Sequence, residues 1–134
     1  MPKKITLYRP VGAEELVLII DSGMKSFPPR LYWQPIFYPV LNFQYAAEIA
    51  ERWNMRDADG DGAGFVTEFE IPDDYFRTFE VQTVGLAHHQ ELWVPAEQLD
   101  EFNGNIMEGI RVTKAFLGKR FVVPDKIKQL VERK

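Results

Sequence analysis

The chain has 134 residues, is 46% hydrophobic and 27% charged, and carries 20 acidic against 16 basic side chains, for a net charge of −4. It has no cysteine, which excludes a disulfide scaffold, a thiol nucleophile, a thiolate zinc site and an iron–sulfur cluster. The longest aliphatic run, Leu16–Ile20, is far too short to span a bilayer.

No apolar stretch follows Lys3 and Lys4, so no signal peptide is expected and a cytoplasmic chain is the default. The acidic balance disfavours nucleic acid as a general partner. The last ten residues lean basic, which reads as the solvated face of a terminal helix.

In chain order, Ile5–Arg9 is expected to be a first strand, with Ile5, Leu7 and Arg9 on one face and Pro10 ending its ladder. A helix follows from Ala13 to Asp21, with Glu14 and Glu15 where the helix dipole favours acids and Gly23 as a stop. Residues 27–41 hold four prolines, five aromatics and a single charge, Arg30. The prolines forbid a long helix or a central strand. A rigid loop with a short strand near Ile36–Tyr38 is expected, its aromatics lining a cleft or covering a core edge.

Asn42 reads as an N-cap for a helix running to about Asn54, with Ala46, Ile49, Ala50 and Trp53 as its apolar stripe. Phe65–Ile71 alternates as a half-buried strand. A helical turn from Pro72 through Phe76, strands at Phe79–Thr83 and Glu91–Val94, and a short helix from Pro95 through Phe102 come next. A long strand at Gly109–Leu117 and a helix opened by Pro124 and Asp125 complete the layout. The pattern predicts one α+β domain over residues 1–134.

Asp57, Asp59, Asp61, Gly62 and Glu68 satisfy the spacing of an EF-hand calcium loop. The context opposes it: a strand rather than a helix follows, Gly64 occupies an aliphatic position, and no second loop exists to pair with it. An acidic, glycine-rich connector without calcium is the expectation.

The order of these elements resembles a known architecture. Leu7-Tyr8-Arg9 opens it, Glu14-Glu15-Leu16 and Gly23 follow, and the proline–aromatic segment leads into Tyr45-Ala46-Ala47-Glu48-Ile49-Ala50. Phe65–Ile71, then Glu91-Leu92-Trp93-Val94-Pro95-Ala96 with Leu99 and Ile106, continue the match. The chain thereby resembles small bacterial proteins labelled "ADP-ribosylation/crystallin J1" and the compact ADP-ribosyltransferase-like domains. This implies a split, strongly bent sheet with helices packed outside, and NAD as the co-substrate. In such domains a first-strand Arg or His holds the dinucleotide, a middle Ser, Thr or Tyr contacts the ribose or nicotinamide, and a late-strand Glu is catalytic. Arg9 resembles the first, Tyr38 (with Tyr32 as the weaker choice) the second, and Glu91 the third. His89 stands two residues before Glu91, where arginine-modifying members carry Glu or Gln, so arginine is not the implied acceptor.

The chemistry of these residues is consistent with that reading and leaves alternatives open. Cleaving a nicotinamide–ribose bond creates an oxocarbenium-like centre that a carboxylate such as Glu91 can stabilise, while donors hold the diphosphate. Glu91 is otherwise an ordinary charged residue at a strand start. Arg9 can grip phosphate through its fork or sit in a structural ion pair, and Arg30 is a second phosphate candidate. Tyr32, Trp33, Phe37 and Tyr38 can stack on rings, although at least two of them are expected in the core. His88 and His89 are expected to face opposite ways, only His89 sharing a face with Glu91. No metal site is expected from two histidines and scattered acids. The competing class is a non-catalytic domain that keeps the fold and binds a nucleotide, or a protein partner through residues 27–41.

Overall fold

The computed structural model describes residues 3–31, 33–52, 62–118 and 121–132. Its largest sheet is antiparallel in the order β1 (Lys4–Val11), β3 (Ala63–Pro72), β7 (Met107–Leu117). Two smaller antiparallel pairs join β2 (Ile36–Phe37) to β6 (Val94–Pro95) and β4 (Val81–Thr83) to β5 (Gln90–Leu92). Helices α1 (Ala13–Asp21), α2 (Phe43–Arg52), α3 (Asp73–Phe76), α4 (Leu99–Gly104) and α5 (Asp125–Glu132) complete an α+β domain.

The sheet has a core on each face. Leu7 and Val11 of β1 point into the larger core with Phe37, Phe69 and Phe102, beneath α1 and α4. Phe27 and Phe37 meet at 5.1 Å and Phe37 and Phe102 at 5.5 Å. Burying such a ring contributes about 1.5–3 kcal/mol. Of Tyr32, Trp33, Phe37 and Tyr38, only Phe37 is a core residue among the described residues: Trp33 and Tyr38 are exposed, contrary to expectation, because their rings face away from the sheet's core. The second core, on the opposite face, joins Val40 and Val66 to Tyr45, Ala46 and Ala50 of α2.

Pro10 does not end the ladder of β1, contrary to expectation: it pairs with Val66 of β3 and β1 continues to Val11. Alternation explains this. Tyr8 directs its N–H and C=O away from β3, toward Val40, at 2.9 and 2.7 Å. Pro10, two residues on, presents its missing donor on that same outer side, so the β3 ladder loses nothing.

Other boundaries shift by one to two residues or divide. The expected strand Glu91–Val94 is two strands, because residue 92 bonds back to Pro39 while Val94 pairs with Phe37 of β2. The strand expected from Phe79 starts at Val81, since the Phe79 N–H is held by Phe76 in a turn. β7 begins before Gly109, where Glu108 at φ 61° and Gly109 at φ 83° turn the chain so that the Ile110 N–H reaches the Met24 carbonyl at 2.7 Å. Trp53, Asp57, Asp59 and Asp61 lie outside the described residues, as does Tyr32. Glu68, the last residue of the calcium-like spacing, lies in β3 and accepts from Arg111 at 2.7 Å. Among the described residues, no helix is long and apolar enough to cross a membrane.

Candidate functional site

Val40 joins the largest sheet to the β4–β5 pair. It bridges Tyr8 on one side and Glu91 on the other, both antiparallel. Leu41 donates to the Gln90 carbonyl at 3.1 Å and Leu92 to Pro39 at 2.9 Å. Residues 39–41 therefore run as an irregular strand between β1 and β5, which brings residue 9 near residue 91 across the chain.

The join ends at Pro10. Continuing the register from Tyr8–Val40 would set Pro10 opposite Tyr38, but proline has no N–H to donate to the Tyr38 carbonyl. Arg9 Nη1 reaches that carbonyl instead, at 3.4 Å. A cleft of about 860 Å³ opens beside this break. Arg9, Arg30, Tyr38, His89 and Glu91, five of the residues singled out by sequence, all line it.

Arg9 is nearly buried, and its guanidinium lies 4.6 Å from the centre of the Phe37 ring. Nε donates to Glu15 Oε2 at 2.7 Å and Nη2 to Glu15 Oε1 at 3.1 Å. This two-pronged pair is the structural alternative weighed for Arg9, and it commits most of its donors. Arg30 differs. Its Nε is buried without a hydrogen-bond partner, and its guanidinium is 5.9 Å from the same ring. Burial, then the nearby Arg9 charge, lowers the Arg30 pKa. A donor buried without a partner costs the folded state.

Glu91 is held from both sides. Tyr45 Oη donates to Oε2 at 2.6 Å and Trp93 Nε1 to Oε1 at 3.0 Å. Burial, followed by the bond to Glu91, pushes the Tyr45 hydroxyl far above its ordinary pKa. Trp93 also meets Tyr38 edge to face at 6.2 Å, forming an exposed aromatic rim.

The two histidines depart from the expected arrangement. They do not face opposite ways, because β5 starts only at Gln90 and both lie in the turn before it. Each Nε2 reaches Glu48, His88 at 3.1 Å and His89 at 3.1 Å. The hydrogen bond from His88, joined by that from His89, holds the Glu48 carboxyl below its ordinary pKa.

Sequence reasoning missed Glu15, Tyr45, Glu48 and Trp93 as contributors to this cleft. Two signals pointed to three of them. Tyr45, Glu48 and Arg52 follow a spacing that puts them on one helical face, and all three line the cleft. Trp93 stands two residues from Glu91, on the same side of an extended chain. No such local signal exists for Glu15, whose link to Arg9 crosses from a strand to a helix.

No protein-family model matches the chain, and no curated protein or solved structure matches it either.

Proposed function

We propose that the cleft binds NAD and that the protein transfers ADP-ribose from it to an acceptor. The observation carrying this reading is the meeting of Arg9, Arg30, Tyr38 and Glu91 around one cavity of about 860 Å³, a volume in the range of cofactor-sized sites. The bond that breaks is the one between C1′ of the ribose and the nicotinamide nitrogen; nicotinamide leaves with the electron pair. The acceptor's nucleophilic atom bonds C1′ and gives up its proton. Glu91, fixed by Tyr45 and Trp93, stabilises the positive charge that develops on the sugar. Arg30 holds the diphosphate, and Tyr38 with Trp93 forms the face against which nicotinamide packs. Arg9, paired with Glu15, shapes the cleft wall.

A second reading, a domain that binds the nucleotide without turning it over, is favoured by two observations. Both Glu91 oxygens already accept hydrogen bonds, and Arg9 is committed to Glu15. NAD titration followed by calorimetry, with free nicotinamide measured in the same samples, separates the two. Saturable binding with nicotinamide release that Glu91→Gln abolishes supports transfer. Binding without release supports the second reading, and no binding of NAD or ADP-ribose overturns both.

A further inference from the structure

We propose that Glu48, His88 and His89 form a binding site for a divalent transition-metal ion, zinc above all, at the edge of the cleft. The site does not depend on the nucleotide reading. One ligand atom from each of the three residues lies within 4.8 Å of the other two, and no other such group is found among the described residues. Glu48 Oε1 stands 3.2 Å from His88 Nε2 and 3.1 Å from His89 Nε2. Ligands at about 2.0–2.1 Å from a tetrahedral zinc stand roughly 3.3 Å apart, which both Glu48 separations approach. Two imidazoles and one carboxylate suit zinc and leave one coordination position open. Glu48 and His89 line the cleft, so that position is within reach of a small ligand there.

The turn that carries both histidines is held in place before any ion arrives. Asn42 caps α2 by accepting from the Tyr45 N–H at 2.8 Å, and its amide donates to the His88 carbonyl at 2.5 Å. Tyr45 stacks on the His89 ring at 4.5 Å with planes 22° apart. Asn42 at the cap of α2, with Tyr45 and Glu48 inside the helix, thus grips the turn that carries both histidines. Such support by surrounding hydrogen bonds and packing is what orients metal ligands.

Binding has a definite proton consequence. His89 Nδ1 accepts from the Leu86 N–H at 3.2 Å, so the neutral ring carries its proton on Nε2 and donates it to Glu48. Zinc needs the Nε2 lone pair, so that proton passes through water to Nδ1 and none is released overall from this ring. With its proton on Nδ1 the ring no longer accepts from the Leu86 N–H, so zinc binding gives up that 3.2 Å bond. His88 likewise presents an unprotonated Nε2, and Glu48 stays ionised.

The test is zinc titration of the full chain by calorimetry, with long-range proton–nitrogen spectra of the histidine rings. One equivalent of zinc should bind, and the His89 proton should move from Nε2 to Nδ1. Glu48→Gln, which preserves shape, and His88→Ala should each weaken zinc by at least about tenfold. Magnesium should produce neither change. Circular dichroism checks that each variant is folded; if His88→Ala is not, Glu48→Gln carries the same test. Absence of zinc binding, an unmoved His89 proton, or unchanged affinity in Glu48→Gln would overturn the site. Because NAD is not added, failure here leaves the transfer reading standing, and the reverse holds.

Discussion

Tyr45 donates its hydroxyl proton to Glu91 at 2.6 Å while its ring lies flat against His89. A single α2 side chain thereby fixes a carboxylate of β5 and an imidazole of the preceding turn. Both groups border the same cleft, so disturbing Tyr45 disturbs the site without touching its charged members.

Tyr45→Phe removes this donor and keeps the ring. A hydrogen bond to a charged group contributes roughly 1.5–3 kcal/mol, and Trp93 still holds the other oxygen. Urea unfolding should show a loss of about 1.5 kcal/mol. If Glu91 acts on the ribose, nicotinamide release should fall by about tenfold, equivalent to roughly 1.4 kcal/mol of barrier. Release that stays at the wild-type rate would mean Glu91 needs no such positioning.

Glu15→Gln leaves the Arg9 charge nearly buried with a weaker acceptor. The pair is mostly shielded from solvent, so its loss should exceed that of a surface pair, at about 2 kcal/mol. The urea midpoint should drop with an unchanged slope. A cost below about 0.5 kcal/mol would place the pair among inconsequential surface contacts.

Arg30→Met should separate stability from binding. The buried, unpartnered Nε of Arg30 costs the folded state, so an apolar replacement of similar length should be neutral or stabilising in thermal melts. Affinity for ADP-ribose should fall by about tenfold, roughly 1.4 kcal/mol. Unaltered affinity would exclude Arg30 as the diphosphate contact.

Alkaline pH should destabilise the fold. Burial pushes the Tyr75 hydroxyl up to about 12 and, joined by the Glu91 bond, raises that of Tyr45 further. An unfolded tyrosine ionises near about 10. A folded value above the unfolded one means that stability is intact below about pH 10 and is lost as pH rises beyond it. Absorbance titration of tyrosinate should show a late-ionising fraction, and Tyr45→Phe should reduce it. Titration of every tyrosine near about pH 10 in folded protein would contradict the burial argument.

Much of the layout was legible because it is local. Leu7, Arg9 and Val11 share one face of β1, as period-two alternation requires. The Asn42 cap forms with the predicted acceptor geometry. The candidate residues Arg9, Arg30, Tyr38, His89 and Glu91 were named from residue type and from the resemblance. Their common cleft came from long-range register instead. Val40 sits between Tyr8 and Glu91 because of pairings across more than thirty positions of chain, which no periodicity encodes.

The sequence by itself determined most of the succession of helices and strands, the buried face of β1, and the absence of thiol chemistry. These follow from spacing and composition, which act between neighbours. Only the tertiary structure decided that Glu15 takes the donors of Arg9, that Tyr45 and Trp93 hold Glu91, and that two adjacent histidines turn together toward Glu48. Each of those outcomes depends on where separate backbone segments come to rest. Residue type limits which partners a charged or polar group accepts, and the packed fold selects among them.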